Sequence, residues 1–195
     1  MLRSLRLTFV SLACLVILHT GAWAQFGVPL NHTDPKLEAV TVRELVARYC
    51  RLDYAGARLS SSDWGKLQPL VAWQANPDFS LFMVTSRFDV DTEPVPEHGK
   101  YQVTVHYRLL GKYDMSEGYS QEAANQIEDV QYVVSEVNGD WRVTELEPGY
   151  PHPSRAAVLQ WLSKKLAEAQ DPVAKTIYQN AVKQLQPLKS TPLAP

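Results

Sequence analysis

The chain has 195 residues, with 19 basic and 21 acidic side chains and a formal net charge of −2. This mildly acidic balance excludes the basic surface of a typical nucleic-acid-binding domain and gives no attraction to an anionic membrane. Once an N-terminal leader is set aside, the length suits one domain with its own core.

The first 24 residues are typical of a cleavable signal peptide. Arg3 and Arg6 precede an apolar run from Leu7 to Leu18, and Ala22-Trp23-Ala24 supplies the small residues that signal peptidase requires. The run is too short for a stable membrane span, which needs about 20 apolar residues. We therefore expect cleavage after this triplet and a secreted or periplasmic mature protein with 17 basic and 21 acidic residues, a net charge of −4.

Two cysteines occur in the sequence, and the mature chain would keep only Cys50. An intramolecular disulfide is then impossible, although the predicted compartment would permit one. Cys14 lies inside the apolar run of the leader and not at its end, which disfavours a lipid anchor. We expect Cys50 to be a small buried side chain.

Two helices are predicted after a flexible lead-in over residues 25–40. Thr41 with Glu44 forms a capping-box pattern, so the first helix is predicted to begin there. Its apolar stripe follows helical spacing: Val42, Leu45, Val46, Tyr49 and Cys50. A second, shorter helix is predicted from Trp64 to about Trp73, kinked or divided at Pro69.

Alternation of apolar and polar residues then predicts about four strands. The first runs from Phe79 to about Val90, and the second covers residues 101–108. Residues 129–137 and 140–147 form a predicted hairpin, since Asn138-Gly139 between them suits a type I′ turn. Residues 111–127 contain two glycines and many polar residues, and they are predicted to form a long loop.

Two further helices are predicted near the C-terminus. Ser154 can cap the first, and Asp171-Pro172 is a typical start for the second, whose apolar seam runs from Val173 to Leu185. Residues 187–195 have three prolines and no periodicity, which predicts a disordered tail. The predicted architecture is thus a single α+β domain over residues 41–186.

Three segments resemble the nuclear transport factor 2-like superfamily of cone-shaped domains, which includes SnoaL-like polyketide cyclases, ketosteroid isomerases and scytalone dehydratases. They are the first-helix stretch Tyr49–Leu59, the segment Trp64–Trp73 and the hairpin turn Gly139–Val143. The resemblance covers roughly residues 41–147. It implies a curved antiparallel sheet wrapped around the N-terminal helices, with a ligand pocket between them; the two C-terminal helices would be additions.

If that pocket exists, inward-pointing side chains should line it. The ligand-binding candidates are Tyr49, Asp53, Arg58, Trp64, Trp73, Tyr107 and Tyr132. Asp53 is the most informative because it shares a helix face with Tyr49, where an unpaired carboxylate would be costly. Arg58, His106 and Arg142 are the predicted partners for its charge.

Asp53 has two interpretations. In the first, it is a general base with a pKa raised by an apolar pocket, and Tyr107 donates to a developing oxyanion, as the resemblance to ketosteroid isomerases implies. In the second, which we favour, it is a buried carboxylate that pairs with an arginine and joins helix to sheet.

Other chemistry finds little support in the sequence. The histidines lack the spacing of a zinc site, so no metal and no cofactor is predicted. Neither a nucleophile elbow nor a phosphate-binding glycine loop is present. Cys50 with His106 could form a nucleophilic pair only if the thiol were accessible.

Three hypotheses follow. We prefer a non-catalytic domain that binds a small apolar ligand or a protein partner through the mouth of its cone-shaped pocket, with a homodimer across the open sheet face as a further possibility. Its candidate contact residues on that face are Gln102, Thr104, His106 and Arg108. The alternatives are an isomerase or dehydratase that uses Asp53, and an assembly subunit that docks through its C-terminal helices.

Overall fold

The computed structural model describes residues 35–186 as an α+β domain with four α-helices and a curved, unclosed antiparallel sheet of six strands. This confirms the predicted fold class. The predicted signal peptide, most of the lead-in and the predicted disordered tail over residues 187–195 lie outside the described residues. Within residues 35–186, no helix is both long enough and apolar enough to cross a membrane.

Helix α1 spans Pro35–Tyr54 and begins well before Thr41, so the predicted helix start was wrong. The Thr41 hydroxyl does not cap a first turn; it donates a hydrogen bond to the backbone carbonyl of Leu37, 3.0 Å away, within the helix. Proline is tolerated in the first helical turn, where its missing N–H has no intrahelical partner. The additional turns extend the helix toward Tyr101, whose hydroxyl donates to Glu38 at 3.1 Å.

Helix α2 covers only Trp64–Leu67 and is followed by a 3₁₀ turn over Gln68–Leu70. Pro69 lies in that turn, so the division predicted there is confirmed. Val71 then forms a parallel bridge to Val143 at the edge of the sheet. The segment thus joins the edge of the sheet where a longer helix was expected.

The six strands follow in chain order: β1 Leu81–Val90, β2 Val95–Glu97, β3 Lys100–Asp114, β4 Gly118–Gln121, β5 Ile127–Val137 and β6 Asp140–Glu147. The main sheet has the order β1-β3-β5-β6, and the short strands β2 and β4 both pair with β3. The predicted hairpin between β5 and β6 is confirmed, since Asn138 and Gly139 have φ angles of 56° and 87°.

The long loop predicted over residues 111–127 was wrong, and with it the count of four strands. Strand β3 continues to Asp114, and β4 returns along it after a short turn. The Asp114 carboxylate closes that turn by accepting hydrogen bonds from the backbone and hydroxyl of Ser116, at 2.8 and 2.6 Å. The hydrogen bonds of this turn therefore allow β4 to pair with β3, which the polar, glycine-containing sequence did not suggest.

The C-terminal helices begin where their caps predict. Helix α3 spans Arg155–Glu168, with Ser154 accepting from the N–H of Ala157, and α4 spans Pro172–Leu185, with Asp171 as its cap. Both cover one face of the sheet near the β3–β4 turn. There they enclose a second core cluster: Phe82, Val84, Tyr113, Val158, Leu162, Ala181 and Leu185.

Strand β3 shows why the sheet has two distinct faces. Its odd-numbered residues from Tyr101 to Tyr113 are buried, whereas Gln102, Thr104, His106 and Arg108 are half-exposed. The buried face, which we call the inner face, packs against α1 in a first core cluster and against α3 and α4 in the second. The opposite, outer face is polar.

Candidate functional site

Helix α1, strands β3 and β5 and the segment after β6 meet in a buried polar cluster, which we call the inner cluster. Its members are Tyr49, Cys50, Asp53, Arg58, Tyr107, Tyr132 and His152, each at most 1% exposed. Helical spacing places the first three on one face of α1, and strand alternation turns both sheet tyrosines inward. Five of the seven predicted ligand-binding residues therefore belong to it.

The tyrosines connect the elements of the inner cluster. The Tyr107 hydroxyl lies 2.9 Å from that of Tyr132 and donates to the Cys50 Sγ atom at 3.2 Å. The ring of Tyr49 meets that of Tyr132 edge-on, with centroids 5.6 Å apart. His152 stacks on Tyr107 with centroids 4.1 Å apart. Aromatic contact and hydrogen bonding together fix the packing of helix on sheet.

Asp53 is held by a partner that the sequence did not suggest. Its Oδ2 atom accepts a hydrogen bond from the backbone N–H of His152 at 2.9 Å. Burial raises the pKa of the carboxyl, while nearby Arg58 and His152 act in the opposite direction. Arg58 is thus an electrostatic neighbour, but its own N–H groups donate to Gly149 at 2.8 Å and Asn76 at 3.3 Å.

The other two predicted partners of Asp53 were wrong. His106 lies on the outer face, between Asp129 and Asp91. Arg142 pairs with Asp140 at 3.6 Å. The reason is strand alternation: an even-numbered position on β3 points away from α1, and Arg142 lies opposite Ser135, which is also on the outer face.

The two predicted tryptophans lie in the hydrophobic core around α2. Trp64 is 9% exposed, and its indole N–H donates to the Gln74 carbonyl at 3.2 Å. Trp73 is half-buried and packs against the first core cluster. These contacts are those of packing residues.

The tyrosines that the resemblance places around a ligand contact one another between α1 and the sheet. Tyr49, Tyr107 and Tyr132 are fully buried between α1 and the sheet. Two surface hollows, of about 280 and 380 Å³, lie elsewhere, and none of the seven predicted residues lines either of them. Asp53 thus packs against other protein groups, an arrangement that favours its structural interpretation.

The protonation states of the inner cluster also fit a structural role. Burial raises the pKa of the Cys50 thiol to about 12 and that of the Tyr107 phenol well above its ordinary value. Both groups are therefore protonated at neutral pH, and Cys50 lacks the thiolate that a nucleophile requires. Across residues 35–186, no group of three or more His, Cys, Asp or Glu side chains could hold a metal ion.

Sequence reasoning missed a second polar junction beside the inner cluster. The Glu128 carboxylate accepts a hydrogen bond from Tyr150 and lies 3.0 Å from Nε2 of His152. Glu128 stands two residues before Val130 and shares its inward orientation, a signal that could have identified it. The Pro-rich segment of residues 148–153 was interpreted only as a break between elements, although it supplies two partners for this carboxylate.

The outer face carries its own ordered charges in two neighbouring rows across the strands. In one row, Arg87 on β1 is opposite Arg108 on β3. In the next, Asp89, His106 and Asp129 lie side by side on β1, β3 and β5. Hydrogen bonds to Asp129 and Asp91, at 2.6 and 3.0 Å, raise the pKa of His106.

Comparison of the chain with protein-family models, with curated proteins and with solved structures finds no match.

Proposed function

We propose that the mature chain is a non-catalytic secreted or periplasmic protein-binding domain that acts as a homodimer through the outer face of its sheet. The observation that carries this proposal is the pair of oppositely charged rows on that face. A curved antiparallel sheet with its helices packed on the inner face also supports a nuclear transport factor 2-like architecture.

The charge arrangement suits self-association. A two-fold axis parallel to the two rows and lying between them would place Arg87 on β1 over the partner's Asp89, and the reverse. Arg87 and Asp89 form an ion pair within the chain at 3.9 Å, but their side chains are 62% and 72% exposed, so each can also contact another molecule. Ile127, which is opposite Arg108 and 56% exposed, adds apolar surface beside the basic row.

The other hypotheses find less support. An apolar ligand would have to displace the buried tyrosines of the inner cluster, and an isomerase would need Asp53 to face its substrate. Docking through the C-terminal helices requires an exposed seam on α4. In the structure Val173 is 66% exposed, but Ala181 and Leu185 are buried against the domain itself.

The test is a charge swap on the exposed pair. We expect the purified protein to sediment as a dimer and to dissociate as salt rises, because exposed ion pairs are screened. Arg87→Glu should weaken the dimer at least about tenfold. The double variant Arg87→Glu with Asp89→Arg exchanges the two charges, restores self-complementarity and should dimerise again. Sedimentation velocity over a concentration series measures each case.

Lys175→Glu on α4 is the matched control, since it reverses an exposed charge away from the outer face and should leave the dimer unchanged. A protein that stays monomeric at all concentrations would overturn the proposal. So would an Arg87→Glu variant that dimerises as well as the unmodified chain.

A further inference from the structure

A polar groove lies on another side of the molecule, where the end of α1 meets α3. It has a volume of about 380 Å³, within the range of roughly 300–1,000 Å³ that is usual for small-molecule sites. We propose that this groove binds an acidic monosaccharide. The inference is independent of the proposed dimer, whose face lies on the sheet.

Two backbones approach closely where Gly56 and Ala157 line the groove. Gly56 has a φ of +90°, and a side-chain carbon there would come within 3.0 Å of the Cβ atom of Ala157 on α3. Glycine therefore fits both the left-handed backbone and the close approach. The serines that follow Leu59 line the same groove as residues of α3.

The walls offer hydrogen-bonding groups suited to a sugar. Ser60, Ser61 and Ser62 line one side, and the Gln160 amide lies on the other. The hydroxyls of Ser60 and Ser62 are 2.8 Å apart, so they can share a hydrogen bond or turn toward a ligand. Hydroxyl and amide groups both donate and accept, which matches the mixed character of sugar hydroxyls.

One positive charge in the groove has no acidic partner. Asp63 is paired with Lys66 at 2.5 Å, and Glu168 lies 4.0 Å from Lys164. Among the described residues Lys165 forms no ion pair, and its ammonium group lies 5.9 Å from the ring centroid of Trp161. This uncompensated charge favours a ligand with a single carboxylate. A hydrogen bond between an ammonium group and a carboxylate is stronger than one between two neutral groups.

Trp161 supplies an aromatic surface that is already held in place. It lines the groove while its ring packs edge-on against Phe82 and Tyr113, with centroids 5.6 and 5.5 Å apart. A ring fixed by its neighbours loses little freedom when a ligand packs against it. The aromatic ring can pack against the apolar face of a pyranose. At the same time the lysine can bind its carboxylate, and the serine hydroxyls can bind its hydroxyls.

An NMR titration of the purified protein with D-glucuronate tests this inference. We expect a saturable shift of the Trp161 indole N–H signal, which Trp161→Phe identifies. D-glucose, which lacks the carboxylate, and acetate, which lacks the ring, should each bind at least about tenfold more weakly. Lys165→Gln should weaken glucuronate binding by a similar factor, whereas Lys175→Gln on α4 should not.

Absence of a saturable shift with glucuronate would overturn the inference. Equal binding of glucose would rule out the role of the charge, and equal binding of acetate would rule out the role of the ring; either result also overturns it. A folded Lys165→Gln variant with unchanged affinity would do the same. Dimerisation is measured separately, so failure of one proposal leaves the other intact.

Discussion

A carboxylate removed from water needs compensation from its surroundings, and at Asp53 this compensation comes from a backbone N–H and a neighbouring guanidinium. The hydrogen bond joins residues 99 positions apart. It therefore holds the segment before α3 against the end of α1. The Arg58 hydrogen bond to Gly149, at 2.8 Å, joins the same two parts of the chain.

We expect Asp53→Ala to lower the free energy of unfolding by about 3 kcal/mol, since it leaves buried Arg58 without a nearby negative charge. Asp53→Asn keeps an acceptor for the His152 N–H and should cost less. Urea denaturation measures both, with Asp78→Ala at an exposed position as the control. An Asp53→Ala variant as stable as the unmodified chain would contradict the structural role.

Glu128 makes stability depend on pH. Burial raises the pKa of its carboxyl, but hydrogen bonds from His152 and Tyr150 outweigh that effect and hold the pKa below the ordinary 4.5. A group whose pKa is lower in the folded state adds stability above its unfolded pKa, and this contribution is lost as pH falls through the folded value. The stability that Glu128 adds should thus be complete at neutral pH and should be lost progressively as the pH falls below about 4.5.

The measurement compares the unmodified chain with Glu128→Gln by thermal denaturation between about pH 3 and pH 7. The difference in stability should be largest at neutral pH and shrink toward the acid end. Glu117→Gln, at an exposed position in the β3–β4 turn, should show no such trend. A difference that stays constant with pH would contradict the assignment of the hydrogen bonds.

At the scale of elements, the pairing of β3 with β4 depends on a glycine in the middle of a strand. A side-chain carbon at Gly111 would lie 2.4 Å from both the Tyr119 ring and the Ser120 carbonyl. The Tyr119 ring occupies that space, and its hydroxyl donates to the Leu110 carbonyl at 2.8 Å. Glycine in a strand commonly marks such a close approach.

Gly111→Ala should accordingly destabilise the domain by about 1–3 kcal/mol, because the ring or the strand must move. Gly65→Ala is the matched control: it lies in α2, has no neighbouring atom within 4 Å of the added carbon, and should be neutral or slightly stabilising. Melting temperatures of the two variants provide the comparison. Equal melting temperatures would show that the close approach is not maintained in solution.

The pairing of β3 with β4 could not be predicted from the sequence, although several other features of the fold could. Short sequence patterns predicted the caps of α3 and α4, the turn at Asn138-Gly139 and the alternation along β3, because each of these features depends on neighbouring residues. Strand β4 was missed because its stability comes from pairing with β3 and from the room left at Gly111. Neither is visible in a polar segment considered alone.

The candidate site also has features that the sequence predicted and features that it did not. Helical and strand periodicity predicted the inward position of Tyr49, Asp53, Tyr107 and Tyr132. It did not predict that these side chains would contact one another between helix and sheet, because packing depends on how close the two elements lie. Nor could it predict the His152 N–H as the partner of Asp53, since backbone donors carry no sequence signature.

At the scale of the whole molecule, the C-terminal helices belong to the domain's own core. Strands β1 and β3 pass through both core clusters, with Tyr107 in the first and Phe82 and Tyr113 in the second. Because the two clusters share these strands, loss of one should weaken the other. The domain should therefore unfold in a single transition.

Two positions on α4 test that cooperativity. Leu185 is 3% exposed in the second cluster, so Leu185→Ala should cost about 2–5 kcal/mol, whereas Val173→Ala, at a residue 66% exposed, should change stability by less than about 0.5 kcal/mol. Urea transitions followed by far-UV circular dichroism and by tryptophan fluorescence should coincide and shift together in Leu185→Ala. If the two probes separated in that variant, the helices would form an independent layer, and the two core clusters would not stabilise each other through the shared strands.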